Sequence, residues 1–312
     1  MGRKIWYSSA IFLAVCIAVF ILWQKYKEEN SYYLVTRWGR KGKGEGEFYL
    51  PHSIAFDDSG YIYISDKNNH RIQKFTSDGR FITKWGKKGI REGEFKFEEG
   101  IVIDRLGYVY VVDPYNHRIQ KFTSEGKFVL AWDTKKKNEC GNGFPEGIAI
   151  DDSNNVYIAD GMFHCIKKFT STGKLITRWG RKGMGDGEFN APRGVKIDND
   201  GFVYVADMRN HRIQKFSPGG VFIAKWGRKG DAEGEFHLPF GLTVDKENYI
   251  YVHDSNHRIQ KFTSSGDYIT GFKRVDSDRL WYMGGMAVDD SGYLYVVNGY
   301  EHCVMKFAPS QK

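Results

Sequence analysis

Hydrophobic and polar positions divide the chain into two unlike parts. Ile5 to Trp23 is a run of 19 residues without a charged side chain. From about residue 33 onward, short runs rich in β-branched and aromatic residues alternate with turn sequences such as DDSG and SDG. Such runs are typical of strands joined by tight turns, and the 3.6-residue period of an amphipathic helix is absent there. The pattern predicts one apolar helix followed by an all-β region.

The β region repeats one sequence unit six times. The string NHRIQKF occurs at 69–75, 116–122, 210–216 and 256–262, and the degenerate copies FHCIKKF and EHCVMKF fill 163–169 and 301–307. The histidines of the six copies lie 45 to 47 residues apart. Each unit contains four strand-like runs, exemplified by GIAID, YIYISD, HRIQKF and FITKWG. Four antiparallel strands in each of six units predict an all-β, six-bladed β-propeller.

The count of strands at the two ends predicts how the ring closes. Six first strands and six third strands can be read from the sequence, but only five fourth strands follow them inside the array. The sixth, YLVTRWG at 33–39, precedes the array. We therefore expect the N-terminal strand to complete the last blade and remove an open sheet edge. Tryptophans recur at one position of the fourth strand, and we expect them to pack between blades rather than to form a ligand cage; they are Trp38, Trp85, Trp132, Trp179 and Trp226.

The apolar run at 5–23 has the length of a membrane span. At 1.5 Å per residue it covers about 28 Å, close to the ~30 Å hydrocarbon core of a bilayer. Trp6 and Trp23 flank it as interfacial aromatics do. A cleaved signal peptide is the main alternative, but its apolar stretch is shorter and ends in small residues, whereas QKYKEEN follows here.

The expected organisation is a cytoplasmic head at 1–4, an uncleaved single-pass anchor at 5–23, a tether at 24–32 and the propeller at 33–312. The basic head favours a cytoplasmic N-terminus and an extracytoplasmic propeller, although basic residues on the other flank leave the orientation open. The net charge is +8, of which residues 1–32 contribute +2 and the propeller +6. This modest excess permits an anionic partner without identifying one.

Four cysteines in 312 residues exclude a disulfide scaffold, and none are paired at metal-finger spacing. Cys165 and Cys303 replace the arginine of the repeat in blades 3 and 6. These blades are opposite each other in a six-fold ring, so the two thiols are too distant to bond. We expect buried free thiols, with a Cys140–Cys165 disulfide as the alternative.

The repeated strings resemble NHL repeats. The resemblance rests on Asp-x-x-Asn-His-Arg-Ile-Gln-Lys-Phe, on GEGEF, and on P-x-G-I-A-V-D-like segments, and it covers about residues 33–312. NHL propellers serve as interaction modules in tripartite-motif proteins, where some bind RNA. They also form sensor domains of some membrane kinases and the catalytic domain of peptidylglycine α-amidating lyase. The resemblance therefore implies a propeller that binds a partner, or one that carries an enzyme site.

The lyase activity does not follow from the resemblance. In that family three histidines, each in a Pro-His pair, hold zinc, and a tyrosine acts in catalysis. Here only His52 matches a zinc ligand, and Met162 stands where the tyrosine would fall. The positions equivalent to His52 in the other blades are Glu99, Glu146, Arg193, Phe240 and Gly284.

These six positions are predicted to ring the mouth of the central channel. His52, Glu99 and Glu146 lie on consecutive blades, and an imidazole with two carboxylates could bind a divalent metal ion. Alternatively, Glu146 pairs through water with Arg193 and the mouth holds no ligand. A pocket lined by these side chains with a strongly shifted carboxylate pKa would favour an enzyme, and a flat polar mouth would favour a binding protein.

Two further patterns are repeated. Asp and His recur four apart, as in Asp66 and His70, and resemble a catalytic dyad. Because an active site needs one such pair rather than a repeated set, we expect a hydrogen bond between them that fixes a turn. Basic pairs recur in the loops between blades, namely Arg40 and Lys41, Lys87 and Lys88, Arg181 and Lys182, and Arg228 and Lys229, with additional basic residues at 135–137 and 273–274.

The basic loops could attract an anionic polymer or an acidic protein. The alternative is local neutralisation by the glutamates of the GEGEF-like segments that follow them. We expect a membrane-anchored binding or scaffold module that needs no cofactor, with a metal-dependent lyase or hydrolase at the channel mouth as the first alternative. An RNA-binding NHL domain is the second alternative, and an extracytoplasmic propeller disfavours it.

Overall fold

The computed structural model describes residues 32–134, 144–273 and 283–310. Within these ranges the chain forms six antiparallel sheets of four strands, each of them one blade of a propeller. Blades 1 to 3 comprise β2 Ser53–Phe56, β3 Ile62–Asp66, β4 Arg71–Phe75 and β5 Phe81–Trp85; β6 Ile101–Ile103, β7 Val109–Asp113, β8 Arg118–Phe122 and β9 Phe128–Asp133; and β10 Pro145–Ile150, β11 Val156–Asp160, β12 Cys165–Phe169 and β13 Leu175–Trp179.

The other half of the ring repeats this arrangement. Blades 4 to 6 comprise β14 Pro192–Ile197, β15 Val203–Asp207, β16 Arg212–Phe216 and β17 Phe222–Trp226; β18 Gly241–Val244, β19 Ile250–His253, β20 Arg258–Phe262 and β21 Tyr268–Lys273; and β22 Met283–Val288, β23 Leu294–Asn298, β24 Cys303–Pro309 and β1 Tyr32–Trp38. The all-β, six-bladed prediction is confirmed.

Helical structure in these ranges consists of three single 3₁₀ turns, at Lys67–Asn69, Pro114–Asn116 and Met208–Asn210. No helix in the described part of the chain has the length and apolar character needed to span a membrane. The predicted head at 1–4 and anchor at 5–23 lie outside the described residues, as do residues 24–31 of the tether. The strand that closes the ring begins at Tyr32, one residue earlier than predicted.

Ring closure follows the strand count. β1 pairs antiparallel with β24, from Tyr32 opposite Pro309 to Trp38 opposite Val304. The Tyr32 hydroxyl lies 2.8 Å from the Tyr251 hydroxyl of blade 5, so the closing strand also contacts the neighbouring blade. The last blade therefore draws its outer strand from the opposite end of the sequence, as predicted, and presents no missing strand.

The burial of each strand reflects its place in the blade. The second strands have blades on both faces and are buried at every position, as in Ile62–Asp66, whereas the fourth strands alternate half-buried and exposed residues, as in Phe81–Trp85. The repeated tryptophan packs between blades, as predicted. Trp85 of blade 1 contacts Tyr63 edge to face and packs against Phe122 of blade 2. A Cβ atom on Gly126, which has φ +82°, would overlap the indole ring.

The blade-joining loops and the turns between second and third strands lie on one face, as predicted, and we call it the loop face. Arg71 holds the two together. Its Nε donates to Asp66 Oδ2 at 2.8 Å, while its Nη1 and Nη2 donate to the carbonyls of Lys43 and Gly44 at 2.7 Å each. Because the guanidinium satisfies several buried acceptors at once, the loop is fixed to the blade.

Candidate functional site

The repeated histidine fixes neighbouring blades together, and the predicted Asp–His hydrogen bond is wrong. His70 ends a 3₁₀ turn in the left-handed region with φ 55°. Its Nδ1 accepts from the backbone N–H of Phe97 in the next blade-joining loop, at 3.2 Å. Asp66 instead accepts hydrogen bonds from Asn69 and Arg71. The carboxylate accepts from its own turn and from the loop that leads into its own blade, whereas the longer imidazole reaches the loop that leads into the next blade.

The same histidine contact recurs around the ring. Leu50 donates to His302 at 3.0 Å, Ala191 to His164 at 3.0 Å, and Leu238 to His211 at 3.1 Å. Each donor has positive φ, which places its N–H towards the preceding blade. The repeated Asp and His residues are therefore structural, as the sequence argument concluded, and they do not form a catalytic dyad.

Blades 3 and 6 replace the Asp–Arg pair in two ways. In blade 3, Cys165 stands in place of the arginine, and Lys167 donates to Asp160 at 3.2 Å and so supplies the positive charge from a different position. In blade 6, Asn298 replaces the aspartate and Cys303 the arginine, so both charges are absent. Cys165 is a buried free thiol, as predicted, and Cys303 is buried as well. The alternative disulfide would need Cys140, which lies outside the described residues.

The predicted mouth residues do meet at one end of the channel. His52 Nε2 lies 2.7 Å from Glu99 Oε2, and Lys67 forms an ion pair with Glu99 Oε1. Burial opposes the ionisation of Glu99, but the adjacent His52, Lys67 and Arg193 outweigh it and lower the pKa of Glu99 to about 2. Glu99 is therefore a fixed anion that contacts His52 and Lys67, whereas a general base at neutral pH needs a pKa near 7.

Arg193 connects the other mouth residues. It forms a direct ion pair with Glu146, where the sequence argument placed a bridging water. Its Nη2 lies 3.3 Å from His52 Nε2, and its guanidinium stacks over the ring of Phe240 at 5.2 Å. Both mouth carboxylates are thus engaged by cations of the protein. Among the described residues no three His, Cys, Asp or Glu side chains converge as ligands for a metal ion.

The mouth leads into a small cavity of about 70 Å³, which is lined by mouth residues and by residues further along the first strands. Sequence reasoning missed one of its lining residues, Lys196, although five other blades carry a neutral residue at that position. It also missed two buried groups nearby. Glu98 replaces the proline of four other blades and has both carboxylate oxygens buried without a hydrogen bond. His253 is fully buried, lies against Phe240, and has both ring nitrogens without a hydrogen bond.

The basic pairs of the loop face divide into two groups. The first member of each pair contacts a glutamate of its own loop, in the pairs Arg40–Glu47, Lys87–Glu94, Arg181–Glu188 and Arg228–Glu235. For Glu94, backbone and side-chain hydrogen bonds from Arg91 and the charge of Lys87 lower the pKa to about 2. The second members remain exposed: Lys88, Lys182 and Lys229 form no ion pair within the described ranges, and Lys41 lies 5.1 Å from the ring of Tyr49. Of the other basic residues, 135–137 and Arg274 lie outside the described residues.

Apolar side chains accompany these lysines. Ile90 and Met184 occupy equivalent loop tips and are 75% and 76% exposed. Between blades 3 and 4 the loop face carries a cleft of about 290 Å³ lined by Met162, Lys182 and Arg209, among others. Burial and the nearby charges of Lys182 and Arg209 lower the pKa of His164 in the same cleft. The loop face thus combines uncompensated positive charge with exposed methionine and isoleucine.

Parts of the chain are similar in sequence to known proteins. The family model described as NHL repeat matches residues 48–75 and 189–216. Protein lin-41 of Caenorhabditis elegans is 38% identical over 48 residues, which are 15% of this chain and 4% of that protein. NHL repeat-containing protein 3 of Homo sapiens is 33% identical over 52 residues, which are 17% of this chain and 15% of that protein. The matches thus span only a small part of these relatives.

Solved structures match the whole ring. A streptogramin B lyase structure superposes with a TM-score of 0.65 at 12% identity, covering 90% of this chain and 99% of that one. A Bacteroides thetaiotaomicron protein of unknown function gives a TM-score of 0.69 at 16% identity, covering 90% of this chain and 76% of that one. At these identities the likeness concerns the fold alone. The class of the protein is thus a six-bladed β-propeller, with its blade-joining loops on one face. More narrowly, it is a propeller that carries NHL repeats, matched at residues 48–75 and 189–216, as the repeated strings indicated.

Proposed function

We propose that this chain is a membrane-anchored interaction scaffold whose loop face binds an acidic segment of a protein partner. The observation that carries the proposal is the division of the basic pairs: the loop glutamates engage only the first member of each. Three exposed lysines in separate blade-joining loops form no ion pair with a described acidic residue; they are Lys88, Lys182 and Lys229. An acidic segment supplies the missing charge and is steered to the face from a distance.

The exposed apolar side chains give the same surface a means of holding a partner at short range. Met162 and Met184 are unbranched and adapt to different shapes, which suits a recognition surface. A polypeptide with both acidic and apolar side chains complements the cleft between blades 3 and 4 better than a uniformly charged polymer does. A protein is therefore the favoured partner, with an anionic polymer as the alternative.

The proposed anchor is the uncharged run at 5–23. Its support is the position of Tyr32, whose hydroxyl donates to the carbonyl of Gly292 at 3.3 Å, in a turn on the face opposite the loops. Eight residues, 24–31, separate Trp23 from this strand, a reach of at most ~30 Å. The propeller then sits close to the bilayer, with the loop face directed away from it, and the proposed side is extracytoplasmic.

Crosslinking from native membranes tests the partner. The full chain is compared with a triple variant, Lys88→Glu, Lys182→Glu and Lys229→Glu, and with a matched control that reverses three exposed lysines away from the loop face, Lys127→Glu, Lys174→Glu and Lys246→Glu. We expect the loop-face variant to lose the crosslinked protein and the control to retain it. Equal recovery by both variants would contradict the proposal, and a nuclease-sensitive product would support the RNA alternative instead.

Accessibility tests the anchor and the orientation separately. In sealed vesicles, an amine reagent that cannot cross membranes should modify Lys88 and Lys182 from the extracytoplasmic side in the absence of a partner. Carbonate extraction should leave the full chain in the membrane. Release by carbonate would exclude the anchor, and protection of both lysines by lipid alone would exclude the orientation.

The enzyme alternative retains two supporting observations. The mouth has a pocket and Glu99 has a strongly lowered pKa, which together were the sequence-based signs of an enzyme. However, the shift is downward and its causes are the neighbouring cations, so Glu99 holds His52 and Lys67 in place rather than exchanging protons. For this reason we favour binding over catalysis.

A further inference from the structure

The channel wall carries one charge that the protein leaves uncompensated, on Lys196. This residue lies in β14 and lines the channel cavity. No described residue forms an ion pair or side-chain hydrogen bond with it. The other blades have small or neutral residues at this position, namely Ala55, Val102, Ala149, Thr243 and Ala287. The lysine is therefore a feature of one blade rather than of the repeat.

An uncompensated ammonium at such a site is energetically unfavourable, because charges removed from water are normally paired. Burial alone lowers the pKa of Lys196 to about 8, and no neighbouring carboxylate opposes the shift. At pH 7 the amine is still mostly protonated. The cavity thus holds a positive charge for which an anion is the natural complement.

The charged residues at the mouth do not supply the counter-charge that the Lys196 ammonium lacks. Glu146 is engaged by Arg193, and Glu99 by His52 and Lys67. Within each of these contacts the negative charge is already balanced. We call these mouth residues the rim of the cavity, and they supply no counter-charge to Lys196. A ligand that enters the channel meets a neutralised rim first and the free ammonium below it.

The size and the wall of the cavity restrict the ligand. A volume of about 70 Å³ admits roughly five water-sized groups, at about 15 Å³ each. Apart from glycines, Ser53 and Lys196, the wall below the rim is aliphatic, formed by Ile54, Ile101, Ile148, Val195, Leu242 and Met286. A single positive charge among aliphatic side chains complements a monoanion that carries its own short carbon chain.

We propose that Lys196 and the surrounding channel wall bind one short-chain aliphatic carboxylate, with its carboxylate on the Lys196 ammonium and its carbon chain against the aliphatic wall. This site is separate from the loop face and does not depend on the function proposed for that face. The bound carboxylate pairs the ammonium and raises its affinity for a proton, so binding weakens as the pH rises above about 8.

Titration calorimetry on the full chain tests the site, with sodium propionate as the probe and sodium chloride and phosphate as comparisons. The test variants are Lys196→Met, which keeps the length without the charge, and Lys196→Arg, which keeps a charge. Lys246→Met, at an exposed position, is the matched control. We expect propionate to bind one to one, with affinity reduced on the order of tenfold to a hundredfold in Lys196→Met, the range for a charged hydrogen bond, and unchanged in the control.

Several results would overturn the proposal. Absence of heat with propionate in the unmodified chain would exclude the site, and equal affinity in Lys196→Met would exclude the role of the ammonium. Equal binding of chloride would exclude a requirement for the carbon chain. Unchanged thermal unfolding of Lys196→Met verifies that any loss of binding is local; if that variant unfolds, Lys196→Arg should retain carboxylate binding, and its failure to do so would count against the site.

Discussion

The Nδ1 atom of His70 accepts a hydrogen bond from the backbone N–H of Phe97, 3.2 Å away, and so joins one blade to the next. The repeat thus uses its histidine as a connector. Burial, followed by the charge of Lys88, lowers the pKa of His70, which keeps the ring neutral and Nδ1 available as an acceptor.

Replacing this connector should weaken the ring. His70→Ala leaves the Phe97 N–H without its acceptor, and we expect the free energy of unfolding to fall by about 1–3 kcal/mol. Urea denaturation of the full chain measures the change. His237→Ala, which removes a histidine outside the repeat, should alter stability by less than about 0.5 kcal/mol. Equal losses in the two variants would show that the connecting hydrogen bond is not the cause.

Glu98 should be a destabilising residue at neutral pH. Its carboxyl group is fully buried without a hydrogen bond, and burial raises its pKa well above the usual range. The residue before it, Phe97, has φ 56°, as Leu50, Ala191 and Leu238 do before prolines in other blades. Glu98→Pro therefore fits the backbone, and we expect it to stabilise the chain by about 1–3 kcal/mol at pH 8.

The sign of the pH dependence at Glu98 follows from its raised pKa. Above the unfolded pKa of 4.5, the unfolded chain releases a proton that the folded chain retains, so stability falls as the pH rises. The gain from Glu98→Pro should consequently be larger at pH 8 than at pH 5. Glu98→Gln, which cannot ionise but remains polar, should remove the pH dependence with a smaller gain. A loss of stability in Glu98→Pro at pH 8 would contradict this account.

His253 should give the opposite slope. Burial, with smaller effects of His257 and Arg193, lowers its pKa to about 3 from 6.5. Between these values the unfolded chain takes up a proton that the folded chain does not, so stability falls with decreasing pH by about 1.4 kcal/mol per unit. His253→Val, the residue found at Val112 and Val297, should remove this contribution. Parallel stability curves for the two chains from pH 7 to 5 would refute it.

The ion pair of Glu99 with Lys67 at the channel mouth predicts a contribution to stability that, like that of His253, falls with decreasing pH. The pKa of Glu99 is lowered from 4.5 to about 2, so its stabilisation is present above pH 4.5 and is lost as the pH falls towards 2. Glu99→Gln should cost up to about 3 kcal/mol at pH 7, at 1.36 kcal/mol per pKa unit, and much less near pH 2. Chemical denaturation at both values measures this difference, and Glu92→Gln at an exposed position serves as the control.

The fold could be predicted from the sequence because one repeat unit occurs six times, once in each blade. Strand number, ring closure through residues 33–39 and the inward tryptophans depend on positions that recur in register. The channel could be read only in part. The sequence placed His52 and Arg193 at one mouth, but the pairing of Lys67 with Glu99 depends on the path of a side chain between blades. Glu98, Lys196 and His253 are single departures from the repeat, and a position-by-position comparison of the six copies would have found them.

Ring closure also imposes an order on biosynthesis. Tyr32 pairs with Pro309, 277 positions further along the chain. At about 5–20 residues per second, the ribosome takes roughly 14 to 55 seconds to make the partner of a strand that emerged near the start. During that interval Tyr33, Leu34 and Val35 have no sheet to join. The nascent chain must therefore keep an apolar strand from pairing elsewhere until the last blade is made.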